Sequence, residues 1–138
     1  METKFNFKSQ ICTTREQSER LLALGLKKET ADMCYQIAYW DCGLLKECSP
    51  SLIPHNIIDG DRFIPAWSLH RLIEMMPMSL IEDRVYHERW DLNITPIMVL
   101  YRNQDQPEEW IGECLGQGMY NNVIDCIEWL IKEGYFNK

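Results

Sequence analysis

The chain predicts an α+β fold, with a three- or four-stranded antiparallel sheet packed by the C-terminal helix and one or two further helices. Three observations carry that expectation. Tyr120, Val123, Ile124, Ile127, Leu130 and Ile131 recur at i, i+3, i+4, i+7, with Asp125, Glu128 and Lys132 opposite and Gly134 placed to cap the end. From Asp83 the period changes to two, which puts Tyr86, Glu88, Trp90, Leu92 and Ile94 on one face and Val85, His87, Arg89, Asp91 and Asn93 on the other. Residues 97–102 and 109–115 then read as two more strands joined by short polar links, the pattern of a meander.

Residues 1–12 read as a strand or loose arm carrying Phe5, Phe7 and Ile11. Thr14-Arg15-Glu16-Gln17 fits a capping box and opens a helix over 15–24, with Leu21, Leu22 and Leu24 as its apolar face and Gly25 as its stop. The next stretch satisfies both periods. Ala31, Cys34, Ile37 and Ala38 are spaced for a helix, while Tyr35, Ile37 and Tyr39 alternate as in a strand. Aromatic and β-branched residues over 35–40 favour a short helix at 28–33 followed by a strand. Residues 41–61 read mostly as loop, and at this length part of it should pack. Ser68 caps a second helix with Leu69, Leu72, Ile73 and Met76 as its stripe and Pro77 as its end. Gly112, Gly116 and Gly118 mark a strand end and the turn into the last helix. With no repeat and no linker, the 138 residues read as one domain, 1–138.

The chain carries 14 bases and 21 acids, a formal charge of −7. Residues 1–69 hold 8 bases and 9 acids, and residues 70–138 hold 6 and 12, so the second half supplies −6 of that charge. An acidic half repels phosphate backbones and anionic lipid, which disfavours nucleic acid and membrane as partners. The first residues show no apolar signal segment, and no apolar run is long enough to span a bilayer. A cytoplasmic setting follows, in which the six cysteines are reduced and mostly packed as small apolar groups.

Three segments together carry a resemblance: Glu16-Gln17-Ser18-Glu19-Arg20-Leu21-Leu22-Ala23-Leu24-Gly25-Leu26, then Ile64-Pro65-Ala66-Trp67-Ser68-Leu69, and the closing Val123-Ile124-Asp125-Cys126-Ile127-Glu128-Trp129-Leu130-Ile131-Lys132-Glu133-Gly134-Tyr135. The chain resembles the small uncharacterised proteins encoded by prophages and mobile elements of gut bacteria. The resemblance implies a mobile-element origin and a cytosolic setting, and it brings no catalytic residues with it.

Several constellations invite chemistry and are answered by simpler roles. Cys42, Cys48 and His55 are spaced C-x5-C-x6-H, which matches no zinc pattern, and structural thiols explain them. Six cysteines and His55, His70 and His87 offer many nucleophilic pairs but no local signature that selects one. The carboxylates Glu82-Asp83, Glu88 and Asp91, and again Glu108-Glu109 and Glu113, fit solvated strand faces and turns. Asp59-Gly60-Asp61 lacks the further oxygens of a calcium loop. Residues 15–40 could open a helix-turn-helix, but the second helix would offer Glu29 and Asp32 to base edges. The common nucleotide and hydrolase motifs are missing.

Five tryptophans form the one compositional excess. Trp129 falls off the apolar stripe of its helix, and Trp67 precedes the second helix. Each either packs on a second element or meets a partner, with Glu108 and Glu109 as candidates for an acidic rim. The expectation is a non-enzymatic accessory or protein-interaction domain that takes no metal or cofactor, binds a protein partner through Trp67, Trp129, Glu108 and Glu109, and has strand edges or Trp129 available for a homodimer. The alternatives are a small-ligand module or enzyme using Cys42, His55 or the acids near Glu88, and DNA binding through residues 15–40.

Overall fold

The structure is a computed structural model and describes residues 9–39, 45–47, 51–52, 63–82 and 88–136. Phe5, Phe7, Cys42, Cys48, His55, Asp59–Asp61, Asp83, Val85, Tyr86 and His87 lie outside the described residues.

Thr14 starts the first helix because its side chain and that of Gln17 satisfy each other's backbone amides. Gln17 N donates to Thr14 Oγ1 at 3.2 Å, and Thr14 N donates to Gln17 Oε1 at 2.9 Å. The helix so opened is α1 (Arg15–Ala23). It stops at Gly25, whose φ of 102° lets Leu26 N reach Leu21 O and Gly25 N reach Leu22 O. Leu21 is buried by this turn, whereas Leu22, expected on the same face, is exposed.

The expected helix at 28–33 is a single 3-10 turn, Lys28–Thr30, that runs directly into β1 (Met33–Tyr39). Strand pairing wins here because β1 is the hub of one antiparallel sheet. It pairs with β2 (Leu45–Glu47), β3 (Ser51–Leu52) and β4 (Phe63–Ala66), so part of the 41–61 stretch is indeed ordered. Asp32 ties the hub to the next element: its carboxylate accepts from Ser68 N at 2.8 Å and from Ser68 Oγ at 2.5 Å. Ser68 Oγ in turn accepts from Arg71 N and caps α2 (Leu69–Met75).

After Pro77 the chain enters β5 (Ser79–Glu82), a strand the sequence pattern did not reveal. It begins a four-stranded antiparallel meander with β6 (Glu88–Thr95), β7 (Met98–Asn103) and β8 (Trp110–Leu115), in the order β5-β6-β7-β8. The turn into β8 is organised by buried Asn103, whose Oδ1 accepts from Asp105 N and Gln106 N. The chain closes with α3 (Met119–Glu133), which ends at Gly134 in the left-handed conformation. The fold is α+β, with the C-terminal helix on the sheet.

One face of the meander is fixed by register. Trp90 opposes Asn103, Leu92 opposes Tyr101 and Ile94 opposes Val99, and all but Asn103 join the core cluster to which α3 also contributes. The stripe of α3 meets them: Val123, Ile124, Cys126, Ile127 and Leu130 are all fully buried. Asn122 is the polar exception, buried because its amide donates to Ile97 O at 3.3 Å and its carbonyl accepts from Gln117 N at 3.2 Å. Helix α1 is held against α3 by Arg20, which donates to Asp125 and Glu128 at 2.7 Å each, and by Gln17, which donates to Asn121 at 2.9 Å.

Candidate functional site

The site grows from an irregularity in β8. Between the pairs Val99–Cys114 and Tyr101–Ile111 the strand carries one more residue than β7. Gly112, at φ 67°, absorbs the extra residue as a bulge. A side chain would not fit there, because a Cβ on Gly112 would stand 2.7 Å from Cε3 of Trp129. Gly112 therefore lies inside the strand and not at its end. The bulge sends Ile111 and Cys114 to the α3 face, and it leaves Trp110 and Leu115 on the opposite face, paired with Arg102 and Met98.

Of the two tryptophans singled out from sequence, both are accounted for by packing. Trp67 is fully buried in the main core; its indole N–H donates to Thr30 Oγ1 at 3.0 Å and its backbone N–H to Thr13 Oγ1 at 3.1 Å. That placement leaves it no surface for a partner. Trp129 is half-buried, with its ring 6.1 Å from Tyr101, 6.0 Å from Tyr135 and against the Gly112 backbone. Glu108 and Glu109 are exposed in the β7–β8 turn, and the structure does not bring them beside Trp67.

They adjoin a different tryptophan. Trp110 is 45% exposed at the start of β8 and is the indole that sequence reasoning passed over. The guanidinium of Arg102 sits 5.4 Å from the Trp110 ring centroid, and the Trp110 indole N–H donates to Glu113 Oε2 at 2.6 Å. Arg102 is itself anchored on the Pro107 carbonyl. Ring, cation and carboxylate so contact one another on an exposed face. Residues 103–115 supply four acids (Asp105, Glu108, Glu109, Glu113) and no base. At the other end of the strand, roughly 15 Å away at 3.3 Å per residue, Leu115 and the hairpin residue Ile97 are exposed by 53% and 67%. Among the described residues no strand pairs with the outer edge of β8.

The other candidates offer less. Asp91 accepts from Arg89 Nε at 2.8 Å and Ser79 Oγ at 2.7 Å, and these bonds, the arginine's first, hold its carboxyl below the ordinary range. It is a strand-face ion pair. Among the described residues no three His, Cys, Asp or Glu side chains are grouped to hold a metal ion, and no helix is long and apolar enough to cross a membrane. Residues 15–39 form a helix, one 3-10 turn and a strand, so no second helix stands ready to enter a DNA groove. A hollow of about 420 Å³ between α2 and β6 is lined by Ile73, Glu74, Met76, Met78 and Leu92, with Glu74 the one charged group among the described residues that line it. Those residues do not offer the convergent polar groups that orient a small ligand. Comparison with protein-family models, curated proteins and solved structures finds no match to this chain.

Proposed function

We propose that the chain is a non-catalytic protein-interaction domain whose contact surface is the outer face and outer edge of β8, anchored by Trp110. The observation that carries this reading is the half-exposed indole set between Arg102 and Glu113 on the sheet's edge strand among the described residues. Rigid aromatic side chains contribute large contact area at little entropic cost, which is why tryptophan is enriched among the residues that dominate binding. The outer edge of β8, with which no strand pairs among the described residues, supplies backbone donors and acceptors, and the four acids around it favour a partner with basic side chains. An extended basic segment with an apolar residue opposite Leu115 fits these features. The setting in a mobile element rests on the sequence resemblance.

The test is a tagged pull-down from native-host lysate, quantified by mass spectrometry, with Trp110→Ala against Leu22→Ala as an exposed-surface control. A stoichiometric partner that is retained by Leu22→Ala, lost by Trp110→Ala and released by rising salt supports the reading. An unchanged set of captured proteins in Trp110→Ala overturns it.

A further inference from the structure

The pairing of β8 with β7 fixes which of its backbone groups turn outward. Asn103 N donates to Glu109 O at 2.9 Å at one end, and Gly116 N donates to Ile97 O at 3.4 Å at the other. In an antiparallel ladder such bonds recur at every second residue, so Glu109 and Ile111, then Cys114 and Gly116, direct their backbone at β7. Trp110, Glu113 and Leu115 therefore direct theirs at the outer edge, with which no strand pairs among the described residues. Residues that share a backbone direction in a strand share a face, and the bond from the Trp110 indole to Glu113 joins two of these side chains. An unbulged strand would present residues 110, 112 and 114 here, an indole, a bare backbone and a thiol. The bulge at Gly112 presents an indole, a carboxylate and a leucine instead. Leu100, on the same face of β7, is buried, so the strip on offer is the edge and not the middle of the sheet.

Resting on the reading of β8 as the contact surface, we propose that the partner adds to this edge as an antiparallel strand selected by the pattern apolar-x-basic-x-apolar. From its N-terminus, the three specified side chains lie beside Leu115, Glu113 and Trp110, because opposed residues of an antiparallel pair project to the same face. The first apolar residue covers Leu115. The basic residue meets the one carboxylate on the strip, in the field of Asp105, Glu108 and Glu109. The last residue is apolar because Arg102 already sets a cation over the Trp110 ring, and a second cation would repel it. The bulge places Gly112 and Glu113 against a single residue of β7, and the added strand meets it in the same way. The pattern is accordingly evenly spaced on the partner, although its counterparts on β8 are not. Antiparallel addition is chosen because it stabilises slightly more per residue than parallel pairing.

The probe is a displayed library of random nine-residue peptides, selected on the immobilised full chain and counter-selected on Trp110→Ala. Enrichment of the evenly spaced pattern is expected; basic residues without that spacing, or no Trp110-dependent enrichment, overturn the proposal. A selected peptide is then made with lysine or glutamate at its central position. Wild type should prefer lysine on the order of tenfold. Glu113→Gln, which keeps an acceptor for the indole, should cut that preference about fivefold, and Glu109→Gln by less than about twofold. Equal effects of the two variants overturn the register. In the complex, hydrogen exchange at the amides of Trp110, Glu113 and Leu115 should slow on the order of tenfold, while Ile111 and Cys114, already turned to β7, stay unchanged. Slowing without that alternation overturns strand addition. A native partner lost by Trp110→Ala, with neither pattern nor alternating protection, removes this inference and leaves the contact surface in place.

Discussion

On one face of the β5–β8 sheet Trp129 lies against the bare backbone of Gly112, with Tyr101 and Tyr135 beside it; on the other face, two residues along the strand from that glycine, Trp110 stands 45% exposed. The inner ring fills space that the bulge opens, and its value is measured in packing. The outer ring is left nearly half exposed. It lies against Arg102 and donates to Glu113, and these contacts give it a direction. The same residue type thus serves the fold on one side of β8 and is kept for contact on the other, and a single glycine separates the two uses.

Substitutions can break that contrast, beginning on the inner face. Tyr101→Ala removes a fully buried ring and its hydrogen bond to the Pro77 carbonyl at 2.7 Å. Urea unfolding should register a loss of about 3–5 kcal/mol, the usual cost of deleting a core aromatic side chain. Gly112→Ala comes next, since it forces a Cβ into the left-handed region and against Trp129. Backbone strain and overpacking together should cost about 2–3 kcal/mol in the same assay, and weaken the Trp110 surface as well by disturbing the bulge.

Arg20→Met tests the clasp behind the sheet. Its carboxylate partners are about a third exposed, so solvent screening holds the expected loss at neutral pH to about 1 kcal/mol. Arg20 holds the Glu128 carboxyl below its ordinary value of 4.5. A lowered folded value stabilises the protein above the unfolded one, and that stabilisation is lost as pH falls through the folded value. The gap in melting temperature between wild type and Arg20→Met should therefore be constant from about pH 6 to 8 and close below about pH 4.5. Trp110→Ala should have the smallest effect on stability, within about 0.5 kcal/mol. Its effect belongs to partner capture alone.

The features legible in the sequence are those whose causes are local. The Thr14–Gln17 box, the Ser68 cap and the glycine after α3 each depend on a few adjacent residues, and they are where the spacing puts them. The burial stripe of α3 and the alternation of β6 were legible because one face of each meets a core. Strand β5 was not, because Ser79-Leu80-Ile81-Glu82 is too short to show a period, and it is strand only through its register with residues 88–91. Lys28–Thr30 failed as a helix for the related reason that β1 finds partners on distant segments. The candidate surface was the hardest to see. Strict alternation from Ile111 would place Cys114 on the outer face and Glu113 on the inner one, and only the bulge at Gly112 reverses this. The glycine itself is the signal that could have been read, as an isolated glycine within a strand pattern often marks a bulge.

The clasp between α1 and α3 joins residues 104 to 108 positions apart. During synthesis at about 5–20 residues per second, roughly 5 to 20 s pass after Arg20 is made before Asp125 and Glu128 follow it. Through that interval the nine residues of α1 are too few to hold a helix by themselves, and Leu21 has no core to enter. Helix α1 is accordingly among the elements that settle late, and the nascent chain must keep an apolar segment available, unspent, until α3 arrives to receive it.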